Sequence, residues 1–337
     1  MKPLRPTRPV PREAGLFLLL LVLVAGFVLA SAPFRNPFNF LDRTRQWVEV
    51  GMIAVPMTFI IATGGIDLSV ASLLVLSSIV SGLCFQELGW SLPLALLVGT
   101  AAGALGGTLN GVCISLLRVP PLVVTLASMA IFRGLAMGLS EADPISSFPS
   151  DYTTWGALGG VGSGDYVVPH QTLILVTTVV LGDFILRRTC IGRWSTQIGE
   201  NAKAARFSTV PVTRLPILLY GSCGLVCGLS AILHTARFGT AHPGVARGLE
   251  LEVIACVVIG GTRITGGNAS VMGTFLGVLI LGVLRFGLDM LEILQKHQVP
   301  LVGLLVIATA ILNEWLARRT EVLNAAARKG GPRGIDN

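Results

Sequence analysis

Two glycine-broken stretches concentrate the residues able to bind or move a polar molecule. The first, residues 61–72, reads IATGGIDLSVAS: Gly64 and Gly65 interrupt an apolar run, and Asp67 and Ser69 open the next one. Paired glycines allow unusual backbone angles and close approach of a neighbouring chain. The Asp67 or Ser69 side chain can accept the free N–H groups at the start of the following helix, so the plainer reading is a turn and a cap. The functional reading is that a helix broken beside a transport path exposes backbone groups to a polar solute or a moving gate. The second stretch, residues 259–277, reads IGGTRITGGNASVMGTFLG. There Gly260-Gly261 and Gly266-Gly267 bracket a polar loop with Arg263, and Gly273 and Gly277 form a G-x-x-x-G step suited to helix packing. Arg133 and Arg285 lie within apolar runs, where a charge is costly and marks a functional candidate. Both sit toward segment ends, so snorkelling to the interface is an equally good account.

Several chemistries have no residues to carry them. The chain has no G-x-x-x-x-G-K-[ST], so it is not itself a P-loop ATPase. It has no H-E-x-x-H or G-x-S-x-G either, which removes the usual membrane hydrolases. Six cysteines form no C-x-x-C, and four histidines have no ligand-like spacing, so neither a metal nor another cofactor is expected. Cys223 and Cys227 share a helix face with Gly221, Gly224, Gly228 and Ala231, a pattern of close packing. Asp67 and Asp183 are the acids placed near or inside apolar segments, a thin set for a proton relay. If the protein pumps, its energy comes from elsewhere.

The elements that must position these residues are membrane helices. Of 337 residues, 52% are hydrophobic and 13% charged, about half the charged fraction of a soluble domain, with a mean hydropathy of +0.75. The net charge of +7 sits at the ends and in loops beside apolar runs, which argues against a nucleic-acid face. Spans need roughly 20 apolar residues. Candidates lie at 15–32, 47–62, 69–85, 92–117, 121–140, 169–186, 214–234, 251–262, 271–290 and 299–316. The expected fold is therefore all-α, a polytopic membrane bundle of about ten segments, with 47–62 and 251–262 short or broken. With the N-terminus inside, the inside segments hold 17 Lys and Arg against six outside, as cytoplasmic loops should. The longest outside loop, 141–168, carries Glu141, Asp143, Asp151 and Asp165 and no Lys or Arg. Asn268-Ala269-Ser270 matches a glycosylation sequon, but it falls inside.

The first span also resembles a signal peptide ending at Ala30-Ser31-Ala32. Pro33 would follow that cut directly and resist it, and the inside–outside alternation needs the span, so an uncleaved helix is expected. The domain reading is a cytoplasmic tail at 1–14, a membrane domain at 15–316 and a second cytoplasmic tail at 317–337. Inside the membrane domain lies one long cationic island, residues 187–214, RRTCIGRWSTQIGENAKAARFSTVPVTR. Its middle, from Ser195 to Ser208, contains no Pro and is expected to form a short helix along the cytoplasmic surface, where a soluble partner can reach it.

With these motifs in order, nearly the whole chain resembles the ribose-type permeases of bacterial ABC importers, which take up sugars and autoinducer-2. The likeness rests on GGIDLSVAS at 64–72, LNGVCISLLRVPPLVVTLASMAIFRGLA at 109–136, GRWSTQIGENAKAARFS at 192–208 and GLELEVIACVVIGGTRITGGNASVMGTFLG at 248–277. The resemblance implies a pore of two permease subunits in the bacterial inner membrane, identical or paired with a sister. It further implies a docked cytoplasmic ATPase and a periplasmic sugar-binding protein. Gly192, Arg193, Gly199, Glu200, Asn201, Ala204 and Ala205 then fall in the region coupled to the ATPase. Gly64, Gly65, Asp67, Ser69, Asn110, Thr125, Arg133, Gly260, Gly261, Gly266 and Gly267 match the core motifs expected at the translocation path or gate. Asn110, Thr125 and loop backbone have the neutral hydrogen-bonding character a polyol needs. The chain departs from the family pattern at Ala71, Glu200 and Ser208-Thr209-Val210, and at Arg263 and Arg285, where small or polar residues are usual. The run AARFS, the GLELEV segment and Phe286-Gly287-Leu288 resemble the rhamnose-importing branch. The competing class is an ion-coupled secondary transporter, which needs no attached ATPase; a membrane enzyme would need a catalytic cluster that the sequence lacks.

Overall fold

The computed structural model describes residues 12–294, 297–298, 300–304 and 307–308. Its helices are α1 (Arg12–Ala30), α2 (Pro37–Arg43), α3 (Val48–Ala62), α4 (Val70–Gln86), α5 (Leu92–Ser115) and α6 (Pro121–Leu139). They continue with α7 (Ser150–Leu158), α8 (His170–Arg188), α9 (Cys190–Phe207), α10 (Arg214–Phe238), α11 (Leu249–Ile259) and α12 (Val271–Met290). Among the described residues the only strands are Gly160–Val161 and Val168–Pro169, a two-residue antiparallel pair. The chain is an all-α polytopic membrane protein, as its composition led us to expect.

Six helices, α1, α5, α6, α8, α10 and α12, are long and apolar enough to cross a membrane. The others assigned to the bilayer are shorter. At 1.5 Å per residue, the 11 residues of α11 reach only about 16 Å, against a hydrocarbon core of about 30 Å. The expected segment at 299–316 falls mostly outside the described residues, as do the C-terminal tail and most of the N-terminal one.

Every residue of α3 except Val50 is buried, as are 13 of the 17 in α4. A helix apolar on all sides belongs in the centre of a bundle, and these two fill it. Around them, α5 and α6 turn Leu97, Leu105, Leu109, Leu126 and Ile131 outward, a lipid-facing surface. On the inner side of the ring, α5 and α10 meet backbone to backbone. A Cβ on Gly107 would strike the Tyr220 carbonyl, and one on Gly224 would strike that of Gly103. Cys223 and Cys227 are buried at that seam, which matches the close packing their glycine neighbours implied. Gly273 and Gly277 likewise bring α12 onto α11, at the carbonyls of Gly260 and Cys256.

The acidic loop at 141–168 is folded down rather than free. It contains α7, whose Tyr152 hydroxyl donates to the Ile232 carbonyl of α10 at 2.6 Å. The buried Arg45 donates to the Gly159 carbonyl at 3.0 Å. The cationic island departs from expectation. Its helix begins at Cys190 rather than Ser195, and it is two pieces, because Asn201 leaves helical geometry (φ −161°, ψ 95°). The Asn201 side-chain carbonyl accepts the N–H groups of Lys203 and Ala204, each at 3.0 Å, and so caps the second piece.

Candidate functional site

The first piece of α9 lies against the end of the bundle where both glycine stretches turn. Gly266 has φ +88°, and a Cβ on it would stand 2.8 Å from the Gly199 Cα, 2.9 Å from the Gly64 nitrogen and 3.0 Å from the Ala62 carbonyl. Gly199 is as crowded, since a Cβ there would collide with the Ala62 carbonyl and the Gly267 nitrogen. The Gly267 N–H donates to the Ala62 carbonyl at 2.9 Å. Three chain segments distant in sequence thus touch through backbone alone, and only glycine leaves room. Exposed Glu200 covers Gly267, and together with Arg263 and Asn268 they line an open groove of about 580 Å³.

Gly192, Arg193, Gly260 and Gly261 line a neighbouring cavity of about 350 Å³, which Glu13 of α1 also borders. There the Ser270 hydroxyl donates to the Glu13 carboxylate at 3.1 Å. In the second piece of α9, Ala205 is buried, whereas Ala204, Lys203 and Arg206 face outward and Phe207 is 92% exposed.

Behind the junction, four residues named from sequence form one buried polar knot. The Asp67 carboxylate accepts the Ser69 backbone N–H at 2.9 Å and the Ser69 hydroxyl at 2.6 Å. The Asn110 amide donates to the same hydroxyl at 2.9 Å, and the Thr125 hydroxyl donates to the Ile66 carbonyl at 3.2 Å. Asp67, not Ser69, therefore serves the backbone at the start of α4. All four side chains are buried. Gly65 sits under Tyr220, whose hydroxyl would be 2.6 Å from a Cβ there. Neither that hydroxyl nor Asp67 Oδ2 has a hydrogen-bond partner among the described residues. Sequence reasoning passed over Tyr220 because a single Tyr in an apolar helix carries no local signal.

Arg133 stands apart from this knot. Its guanidinium donates to the carbonyls of Pro243 and Val245 at 2.9 and 2.8 Å, fastening the loop before α11 to α6. Arg285 is also at the far end of the bundle, 2.8 Å from Glu252. The sequence reading of membrane acids needs correction here. Glu13, Glu49, Glu250, Glu252 and Asp289 belong to α1, α3, α11 and α12, beside the Asp67 and Asp183 already named. Glu49 and Glu252 fall in the first turns of their helices, where the macrodipole favours an acid and a segment scan reads a boundary. Glu49 is buried 3.0 Å from Arg237 and 3.4 Å from His234. Among the described residues no group of His, Cys, Asp and Glu is arranged to hold a metal.

Comparison with known proteins agrees with the motifs. A family model described as branched-chain amino acid transport system / permease component matches residues 40–312. The ribose import permease protein of Bacillus subtilis is 35% identical over 306 residues, covering 90% of this chain and 93% of its own. The fructose import permease protein of Rhizobium meliloti is 32% identical, covering 91% and 86%. An autoinducer 2 import system permease protein of Yersinia enterocolitica is 33% identical, covering 91% and 96%. No solved structure shows a significant match. With the match running through the α3–α4 turn, α9 and the α11–α12 turn alike, the chain belongs to this family of membrane permease components, with ribose-type import permeases among its relatives.

Proposed function

We propose that this permease is one of two membrane subunits of an ATP-driven importer for a sugar or sugar-like solute. A separate cytoplasmic ATPase and a periplasmic solute-binding protein complete it. The observation that carries the reading is the backbone junction of Gly199 with Ala62, Gly266 and Gly267. A push on α9 is delivered there to the inner ends of α3, α11 and α12 with no flexible side chain between. The names of the relatives, permeases for ribose, fructose and autoinducer 2, supply the solute class.

On this reading the membrane is the bacterial inner membrane and both termini are cytoplasmic, the orientation favoured by the charge count. Gly192, Arg193, Gly199, Glu200, Asn201, Ala204 and Ala205 form the coupling surface. Phe207, apolar and projecting beside Lys203 and Arg206, is the anchor that a partner's pocket would desolvate. Gly64, Gly65, Asp67, Ser69, Asn110, Thr125, Gly260, Gly261, Gly266 and Gly267 make up the gate, held shut by the buried knot. Arg133 braces the gate's outer end. The second permease subunit, a copy or a sister, packs on a lipid-facing flank.

The test is to purify the tagged chain gently from native membranes, identify what accompanies it, and reconstitute the complex in liposomes. An ATPase that co-purifies, and whose hydrolysis rises with a sugar-loaded binding protein, is the expected result. Phe207→Ala should weaken that association at least tenfold. A chain that comes out alone and moves solute down an ion gradient would replace this reading with a secondary transporter.

A further inference from the structure

At the end of the bundle away from the α9 junction, a cavity of about 330 Å³ opens between α3, α11 and α12. Pockets that hold small molecules run from about 300 to 1,000 Å³, so this one suits a compact ligand. Its walls combine an aromatic platform with charged groups. The Trp47 indole lies across Gly282, where any side chain would displace it. Arg285 reaches Glu252 at 2.8 Å, and both side chains remain about one-third exposed, although they lie on helices of the bundle. Asp289 accepts the Gln298 amide at 2.8 Å and lies 3.8 Å from Arg43.

The charge balance narrows the ligand. Arg285 faces Glu252, and Asp289 is met by the Gln298 amide and, from just outside the lining, by Arg43, so each wall charge already has a partner. An anion or a cation would have to break an existing pair. A neutral molecule can use what the pairs leave over: Arg285 has donors beyond the one pointed at Glu252, and each carboxylate keeps acceptor sites. An aromatic face, a guanidinium and carboxylates around a small volume are complementary to a ring that is apolar on its faces and hydroxylated at its edge.

We propose that this cavity binds a neutral polyhydroxylated solute on the outward side of the subunit, with Trp47 as the platform and Arg285 and Glu252 as the hydrogen-bonding wall. This assignment rests on the importer reading above, which supplies the orientation. The pocket and the coupling junction are two ends of the same helices. Helix α3 runs from Val50 at the cavity to Ala62 at the junction, α11 from Glu252 to Ile259 just before the α11–α12 turn, and α12 back from Val271 to Arg285. A tilt imposed at Gly199 therefore changes the spacing of Trp47, Glu252 and Arg285 directly.

The experiment uses the complete reconstituted importer and labelled D-ribose, D-fructose, L-rhamnose and autoinducer-2. The swap Glu252→Arg with Arg285→Glu keeps an ion pair and reverses the wall. The expected result is normal assembly and at least a tenfold drop in maximal uptake. In parallel, Gln46→Cys is labelled from outside with an impermeant maleimide, as the increment over the native cysteines, and the transported sugar should slow labelling at least threefold. Uptake by the swapped chain at the wild-type rate, or labelling that no sugar slows, overturns the pocket and leaves the importer intact. If the swapped chain fails to assemble, protection of Gln46→Cys alone decides. A sugar that protects a chain importing nothing keeps the pocket and removes the importer reading. Neither uptake nor protection removes both.

Discussion

The carbonyl oxygen of Ala62 accepts the Gly267 N–H at 2.9 Å, and Gly199 stands so close to the same oxygen that a Cβ on it would collide there. One carbonyl thus joins the end of α3, the α11–α12 turn and the surface helix α9. Gly199→Ala places a methyl group where backbone already stands, so α9 must lift away. Overpacking of this kind costs about 1–3 kcal/mol. The expected outcome is a complex that still hydrolyses ATP but imports at least tenfold more slowly. ATPase and uptake assays on the same vesicles check it, and unchanged coupling would dissociate this contact from force transfer.

Asn201 makes a second, separable prediction about the same surface. Its side chain caps residues 202–207 through Lys203 and Ala204. Asn201→Ala removes the cap at a cost of about 1 kcal/mol, and Asn201→Asp restores it. Hydrogen exchange at 202–207 should rise in the first variant and return in the second, with ATPase affinity following the same order. An alanine variant with native exchange would show that packing of Ala205 alone holds the piece.

Arg133 is expected to act as a fastener and not as a solute ligand. Both of its hydrogen bonds go to carbonyls of the loop that precedes α11. Arg133→Met loses two charge-assisted bonds and should raise hydrogen exchange across 239–248 while leaving the order of preference among sugars unchanged. A changed order of preference would bring the guanidinium into contact with solute.

How much of this was legible depends on the range of the interaction. Helix positions were readable because apolar run length is local, and most expected segments ended within a few residues of the observed helices. The glycines at 64, 266 and 267 marked themselves as pairs in broken apolar runs, and only the resemblance placed 199 with them in one machine. Their mutual contact was not readable, since it joins residues some 70 to 200 positions apart. The broken helix at Asn201 was missed because a capping Asn inside a Pro-free run leaves the helical pattern intact. Arg285 stood out as a charge in an apolar segment, but Glu252, inside the expected segment 251–262, was not counted among the membrane acids, so the pair and the cavity it lines stayed hidden.

Glu49 decides between the importer and an ion-coupled carrier. It is buried in α3, 3.0 Å from Arg237 and 3.4 Å from His234, with the Arg237 guanidinium 4.4 Å over the Phe238 ring. A carrier that moves protons would use such a carboxylate by protonating it, and Glu49→Gln would then stop uptake without unfolding the chain. In the importer the same group is a structural counter-ion. Glu49→Gln leaves a buried guanidinium unpaired, at a cost of about 3–5 kcal/mol, and the purified chain should melt at a clearly lower temperature. Adding Arg237→Met removes the stranded charge, so the double variant should recover most of the stability and its ATP-driven uptake together. Recovery of both identifies Glu49 as scaffold; recovery of stability with uptake still absent would identify it as a coupling acid.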